Sequence, residues 1–255
     1  MAEQNQMFSY QGAVFLCERD AGGKPVKPEW VGDATVKVAL ATETAEHNES
    51  FSGQRLPYAR MTTRKSATVT LTLFEARSAN LAVALYADQV VTVSGSSTGE
   101  TFPAGLAVGD AVLLDRSFVS NLQITDSTGS PVTLTAGVHY ELERPNAGLV
   151  RILALDGVTQ PFRAAYSYQA VENLTLFTRT PPEKWLLLDG VNTLDDSPVL
   201  VDLFRVRFDP ASELALHNEE FGSLELTGSA LYDAALGSDP TLGGFGRVVR
   251  KAGVA

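Results

Sequence analysis

The pentapeptide Gly95-Ser96-Ser97-Thr98-Gly99 has the G-x-S-x-G pattern in which many serine hydrolases carry their nucleophile. That nucleophile works only on a strained turn between a strand and a helix. Here the segment Thr101-Phe102-Pro103-Ala104-Gly105 follows, and it cannot open a helix. The pattern therefore indicates a surface hairpin turn, with Ser97 as a hydrolase nucleophile the weaker interpretation.

Histidines and paired carboxylates are the other candidates for chemistry. His47, His139 and His217 have no partner at the spacing of metal ligands. Asp195-Asp196 and Glu219-Glu220 lie in turns, where neighbouring carboxylates are solvated rather than opposed across a cleft. An ion site at these pairs is the weaker alternative. We therefore expect no enzyme, no catalytic residue, no metal and no cofactor.

The net charge argues against tight binding to the outside of DNA. The chain has 255 residues, with 20 Lys and Arg against 30 Asp and Glu, which gives a formal charge of −10. Affinity for DNA comes from cations that neutralise phosphates, so this balance suits a surface along which DNA slides, or ordinary solubility. Cys17, the single cysteine, is expected in the core. Without an export signal or an apolar run of about 20 residues, a cytosolic protein outside the membrane is expected.

A charged ribbon lies between two segments that look like strands. Its first limb is acidic, and the limb after the turn at Gly53 is basic; the charged residues are Glu43, Glu46, Glu49, Arg55, Arg60, Arg64 and Lys65. Separated charge signs suit a protein that stacks on copies of itself, because an acidic limb can meet the basic limb of the next copy. The expected apolar anchors are Phe51, Leu56 and Tyr58. A surface hairpin with solvated charges is the open alternative.

Short strands between Gly, Pro, Asp and Asn turns would hold this ribbon. Ala34–Thr42 and Ala67–Phe74 alternate apolar and polar residues, so each predicts one buried face and one wet face. Further strands are expected at Trp185–Leu188, Val199–Phe208 and Leu224–Tyr232, with a turn at Glu219–Gly222 and an irregular tail after Ala235.

One helix and one inserted domain complete the predicted organisation. Ser78–Ala87 predicts a helix capped by Ser78, with Leu81, Ala84 and Leu85 facing a sheet. Residues 90–177 contain short, regularly spaced strands, typical of a small sandwich. The predicted fold is mainly β: a two-sheet antiparallel β-sandwich or barrel with one flanking α-helix (1–89 and 178–255) and an inserted Ig-like, all-β domain (90–177).

Three stretches, 35–87, 199–233 and 125–153, resemble the tail tube (major tail) proteins of long-tailed bacteriophages, particularly those with non-contractile tails. The order of elements carries the likeness: strand, long loop, strand and helix, then an insert, then a C-terminal hairpin. The resemblance implies a homo-oligomer of stacked rings, usually of six subunits, which form a hollow tube for DNA ejection. The long loop, here 43–65, would reach a neighbouring subunit or ring, and the insert would project outward.

The resemblance also implies a polar or acidic lumen and a set of partners. The lumen-facing candidates are Thr68, Thr70, Thr72, Glu225, Thr227 and Ser229. The expected partners are other copies of the chain, a tape-measure protein, a tail terminator and a distal tail or baseplate protein, with DNA only in transit and no membrane. The expected location is the virion tail, after assembly in the host cytoplasm.

Two other readings stay open. A β-sandwich module could bind carbohydrate or a cell surface through Tyr140, Tyr166 and Tyr168 in the insert, although such rings are also common in cores. A related ring component, such as a tail terminator, a baseplate-ring protein or a secretion-tube subunit, would share the fold and stop at one ring or need partners to stack.

Overall fold

The chain forms two compact units, and the computed structural model describes residues 7–180 and 182–251. Unit 1 comprises Met1–Asp88 and Leu174–Ala255, and unit 2 comprises Gln89–Asn173. The sequence predicts these boundaries after residues 89 and 177. The parts of its parent-domain assignment at 1–6, 181 and 252–255 lie outside the described residues.

The described residues are mainly β, with antiparallel pairing in the sheets, as predicted. In chain order the elements are β1 (Tyr10–Arg19), β2 (Pro25–Trp30), β3 (Ala34–Asn48), β4 (Pro57–Leu73), α1 (Ser78–Ala84), β5 (Asp88–Thr92), β6 (Gly95–Thr101), β7 (Ala111–Leu113), β8 (Val119–Thr125), β9 (Tyr140–Arg144), β10 (Leu149–Ile152), β11 (Arg163–Tyr168), β12 (Val171–Thr175), β13 (Lys184–Asn192), β14 (Ser197–Phe208), β15 (Leu224–Ala230) and β16 (Gly246–Arg250).

Unit 1 is built on one eight-stranded sheet in the order β2-β1-β13-β14-β15-β4-β3, with β16 also paired to β14. Strand β14 joins the two halves of this sheet. Its first part pairs with β13 and β16, and its last residues, Val206–Phe208, pair with β15. Because β14 is long enough to pair with strands of both halves, unit 1 has one continuous sheet in place of two separate sheets.

The core of unit 1 draws on both halves of the sheet. Val14 and Leu186, from β1 and β13, belong to the same buried cluster as Val69, Leu71 and Leu226, from β4 and β15. The sheet therefore folds back on itself around one apolar interior. The alternation in β4 and β15 places Leu and Val on this inner face and Thr, Ser and Glu on the outer face.

Helix α1 is shorter than predicted and is capped differently. Its N-cap is Arg77, whose side chain makes no capping hydrogen bond, so the prediction of Ser78 as the N-cap is wrong. The helix ends at Ala84, and Tyr86 takes a left-handed φ of 50° that turns the chain away from it. Leu81, Ala84 and Leu85 do pack against the core of unit 1, as their spacing predicts.

Two C-terminal predictions need correction. The tail after Ala235 is not wholly irregular, because β16 pairs with the first part of β14, from Leu203 opposite Gly246 to Val199 opposite Arg250. The segment before this strand is rich in glycine, so the sequence pattern does not predict a strand there. The strand forms because it pairs with an edge of β14 that would otherwise be free. The link between β14 and β15 is also more than a turn at 219–222: residues 209–223 form an irregular loop.

Unit 2 is a small all-β body. Its strands form two three-stranded sheets, β7-β10-β9 and β6-β11-β8. Both sheets contribute to one core, in which Ile124 and Tyr166 meet Val150 and Ile152. Strands β5 and β12 pair with each other where the chain enters and leaves this unit.

Candidate assembly surfaces

The charged ribbon is a β-hairpin rather than a loop. Strands β3 and β4 pair along their whole length, from Ala34 opposite Leu73 to Asn48 opposite Pro57. The predicted end of the first strand at Thr42 is therefore too early, and the predicted start of the second strand at Ala67 is too late. We call residues 43–65 the arm. Residues 57–65 of β4 are all exposed, whereas Ala67, Val69, Leu71 and Leu73 are buried, so the arm continues the hairpin past the packed part of unit 1.

The arm pairs its acidic and basic limbs with each other. Glu43 lies opposite Arg64 and Glu46 lies opposite Arg60, with N–O distances of 3.5 Å in both ion pairs. The predicted separation of the two charge signs is therefore wrong at these positions. Side chains alternate along a strand, so Glu43 and Glu46, three residues apart, stand on opposite faces of the arm. Both pairs are more than half exposed, and such pairs stabilise by about 0–1 kcal/mol.

Glu49 has a structural role at the tip of the arm. Only 6% of its surface is exposed. Its carboxylate accepts hydrogen bonds from the Ser52 hydroxyl and from the backbone N–H groups of Ser52 and Phe51, both at 2.7 Å. These bonds, with that of the Ser52 hydroxyl the largest cause, lower the pKa of Glu49 to about 2. Glu49 thus fixes the turn.

Four large apolar side chains are exposed along the arm. The three predicted anchors are joined by one that sequence reasoning missed; they are Phe51, Leu56, Tyr58 and Met61. The rings of Phe51 and Tyr58 meet edge to face, with centroids 6.0 Å apart. Met61 faces Ala45 across the ladder. The tip thus presents a preformed aromatic pair to solvent.

Two cations of the arm have no ion pair among the described residues. Arg55 lies in the turn, with a left-handed φ of 54°, and Lys65 lies opposite Thr42 at the base. Since the carboxylate of Glu49 is buried in the turn, Arg55 is the exposed charge of the tip. The tip therefore combines aromatic surface with positive charge.

The six candidate lumen residues form one polar face. Strands β4 and β15 bring them together as three cross-strand pairs: Thr72 with Glu225, Thr70 with Thr227, and Thr68 with Ser229. The side chains of β15 alternate strictly between buried and exposed, so Glu225, Thr227 and Ser229 are all exposed. The period of two in each strand was enough to choose this face, and pairing without a register shift aligns the two strands.

The lumen was expected to be polar or acidic, and this face is polar but not acidic. Lys37 of β3 lies opposite Thr70, and Arg207 of β14 lies opposite Ser229. Both cations are exposed, as is the carboxylate of Glu225. The face is therefore polar and rich in hydroxyl groups, without net negative charge. The negative balance of the whole chain does not predict the charge of one surface.

The candidates for chemistry lie in structural settings. Gly95–Gly99 lies within β6, which pairs with β11, and no strand-to-helix elbow follows it. Asp195 accepts hydrogen bonds from the backbone N–H and the hydroxyl of Ser197, at 3.1 and 2.7 Å, and so holds the turn between β13 and β14. These bonds lower the pKa of Asp195.

The histidines are not brought together. His139 accepts a hydrogen bond from the Thr135 N–H at Nδ1, 3.0 Å away, while His47 and His217 are exposed in unit 1. Within residues 7–180 and 182–251, no three His, Cys, Asp or Glu side chains form a group that could hold a metal ion. In the same described part of the chain, no helix has the length and apolar character needed to span a bilayer.

The tyrosines proposed as sugar-stacking rings lie largely inside unit 2. Tyr140 and Tyr166 are buried in its core, at 4% and 3% exposure. The Tyr140 hydroxyl donates to the Leu122 carbonyl at 2.9 Å, and the Tyr166 hydroxyl donates to Glu100. Burial, followed by that carboxylate, raises the pKa of Tyr166 to about 12. Tyr140 and Tyr166 are therefore unable to stack on a sugar, and Tyr168 has Arg116 over its ring.

The chain belongs to the family described as "Protein of unknown function UCP028589", whose model matches residues 7–249. The match covers both units. No curated protein matches the chain.

Proposed function

We propose that this chain is a structural protein of a bacteriophage tail, with the tail tube fold, whose copies form rings that stack into a hollow tube. DNA passes through the lumen during ejection. The rings are six-membered, as in the tail tube proteins that the sequence resembles. A tape-measure protein, a tail terminator and a distal tail or baseplate protein would be the other partners, and the virion tail would be the location after assembly in the host cytoplasm.

The arm carries this proposal. A two-stranded hairpin is marginally stable in water by itself, because it buries little apolar surface. This arm nevertheless exposes the rings of Phe51 and Tyr58 together with Leu56 and Met61. Exposed apolar groups clustered among charges are typical of protein–protein contacts. A neighbouring copy that covers them would repay the cost of ordering the arm.

The sheet edge supports association side by side. Strand β3 is the last strand of its sheet and presents an unpaired edge over the span Ala34–Asn48. Long exposed edges tend to pair with other chains, and a ring closed by neighbouring sheets removes them. Val38 and Leu40 of this strand are also exposed, at 40% and 82%. Both features favour a neighbour at β3.

The polar face suits a lumen. Its hydroxyl groups and its mixed charges, Lys37 and Arg207 with Glu225, offer no continuous cationic track to which phosphates would adhere. DNA could pass such a surface with few lasting contacts. Weak retention is the property that a conduit requires.

The test is a concentration series of the purified chain followed by sedimentation velocity and negative-stain electron microscopy. Rings and hollow stacks that grow with concentration are the expected result. A closed ring that never stacks would instead favour the terminator or baseplate-ring reading. A monomer at every concentration would contradict the proposal and leave a binding module as the better reading.

A further inference from the structure

The loop between β14 and β15 carries a surface that complements the arm. We call residues 209–223 the acidic loop. It has four carboxylates and no Lys or Arg; the carboxylates belong to Asp209, Glu213, Glu219 and Glu220. None of them forms an ion pair with another residue in the described parts of the chain. The loop therefore carries concentrated negative charge.

Apolar side chains accompany that charge. Leu216 is 81% exposed, and the ring of Phe221 is fully exposed. Beside them, a cavity of about 230 Å³ is lined by Leu73, Leu81 and Leu214 and by other residues of unit 1. The acidic loop thus has exposed apolar side chains and carboxylates next to a cavity. The arm tip has the matching features with the opposite charge, in Arg55 and the rings of Phe51 and Tyr58.

The beginning of the acidic loop is anchored to the fold. The Asp209 N–H donates to the Thr227 carbonyl, and the Ala211 N–H donates to the Ala84 carbonyl at the end of α1, both at 2.8 Å. A surface held at its base is ordered before a partner arrives, which lowers the entropic cost of docking.

The arm and the acidic loop lie at opposite ends of β4. The acidic loop leads directly into Leu224, which pairs with Leu73 at one end of that strand. The arm continues from the other end, towards Pro57. Sixteen residue steps separate Pro57 from Leu73, about 50 Å at about 3.3 Å per residue. The arm tip therefore cannot contact the acidic loop of its own chain.

We propose that the acidic loop is the surface on which the arm tip of a second copy docks. Arg55 of the arm meets the Glu219 and Glu220 carboxylates, and the Phe51–Tyr58 pair covers Leu216 and Phe221. Two different patches at opposite ends of one strand make a head-to-tail contact, which extends into an open stack. This inference rests on the proposed function and adds the partner surface of the arm.

Chemical cross-linking between two variants, each with one added cysteine, tests the contact directly. Gln54→Cys, beside Arg55, is mixed with His217→Cys, beside Glu219, and treated with a short bismaleimide. The wild-type chain is the blank, because its only cysteine, Cys17, is 2% exposed. The matched control replaces His217→Cys with Arg144→Cys, an exposed position in unit 2.

The 54–217 mixture is expected to give about tenfold more cross-linked dimer than the 54–144 mixture, as a specific charged contact should. Adding Arg55→Glu to the first chain should remove most of that excess. Adding Glu219→Arg and Glu220→Arg to the second chain as well should restore it. Restoration by the charge swap separates docking from a general loss of structure.

The outcomes also separate this inference from the proposed function. Hollow stacks in the microscope with no excess of the 54–217 product would overturn the docking surface and leave the tube proposal standing. Excess product without rings or stacks at any concentration would support the docking surface and overturn the tube. Monomers without excess product would overturn both.

Discussion

The two parts of strand β4 both pair with β3, but they differ in burial. Residues 67–73 alternate between the core and the polar face, and the inward side chains are almost wholly buried. Residues 57–66 continue the same ladder with β3 and have no core beneath them. Hydrogen bonding therefore does not distinguish the packed part from the arm. Burial does: the packed part contributes to the core of unit 1, and the arm leaves its side chains exposed.

The comparison predicts that core truncation in the packed part has the largest effect on folding. Leu71 has no exposed surface, so Leu71→Ala should lower the free energy of unfolding by about 2–5 kcal/mol. The matched change in the arm, Leu56→Ala, removes a half-exposed side chain and should change it by less than about 0.5 kcal/mol. Urea unfolding of both variants measures the difference. Equal losses would mean that the arm is part of the folded core.

For assembly we expect the opposite: a change in the arm should have a large effect on stacking and a small effect on folding. Tyr58→Ala removes an exposed ring of the arm tip, so it should raise the concentration needed for stacking by about tenfold or more, as loss of an aromatic anchor does. The unfolding free energy should stay within about 0.5 kcal/mol of wild type. Leu113→Ala in unit 2 is the control, since that side chain is also exposed. If both variants stack like wild type by sedimentation, the arm is not the contact.

A smaller effect is expected from the ion pairs of the arm. Arg60→Glu should place a like charge opposite Glu46 and cost about 0.2–1 kcal/mol of monomer stability. Adding Glu46→Arg to the same chain should restore the loss. A double-mutant cycle at low and high salt measures the coupling. Coupling that is absent at low salt would contradict pairing within the chain.

The smallest effect is local and depends on pH. The pKa of Glu49 is depressed in the folded chain, from the usual 4.5 to about 2. Its stabilisation of the turn is therefore complete above pH 4.5 and is lost as the pH falls through about 2. The amide chemical shifts of Phe51 and Ser52, followed by NMR, should titrate with a midpoint near that lower value. Glu49→Gln should abolish the step, and a midpoint near 4.5 would refute the hydrogen-bonded turn.

The packed part was predictable because it obeys a period of two. Val69, Leu71 and Leu73 alternate with Thr residues, and that pattern alone assigns the inner and outer faces. The six residues of the polar face follow from the same rule, since β15 alternates in the same way. The cations Lys37 and Arg207 lie on that face because β3 and β14 are neighbours of β4 and β15 in the sheet. Local sequence patterns do not predict that strand order.

The position of the arm was predictable from the sequence, but the pairing of all its charged residues was not. Its turn near Gly53 and its charges are visible in the sequence, whereas the opposition of Glu43 and Arg64 depends on register. Counting from the turn could have found the pairing of Glu46 with Arg60, since each lies seven residues from Gly53, but not that of Glu43 with Arg64, because the register shifts between Glu43 and Thr44. The strand β16 had no such signal, because the free edge of β14 is a property of the folded sheet.

Thiol labelling at Thr227 tests the central claim, that the polar face lines the interior of an assembly of copies. Thr227→Cys is exposed in the single chain, so a bulky maleimide should react with it rapidly in the dissociated fraction. In the assembled fraction the reaction should be strongly slowed, while Arg144→Cys reacts as before. Equal labelling of Thr227→Cys in the two fractions would contradict the account.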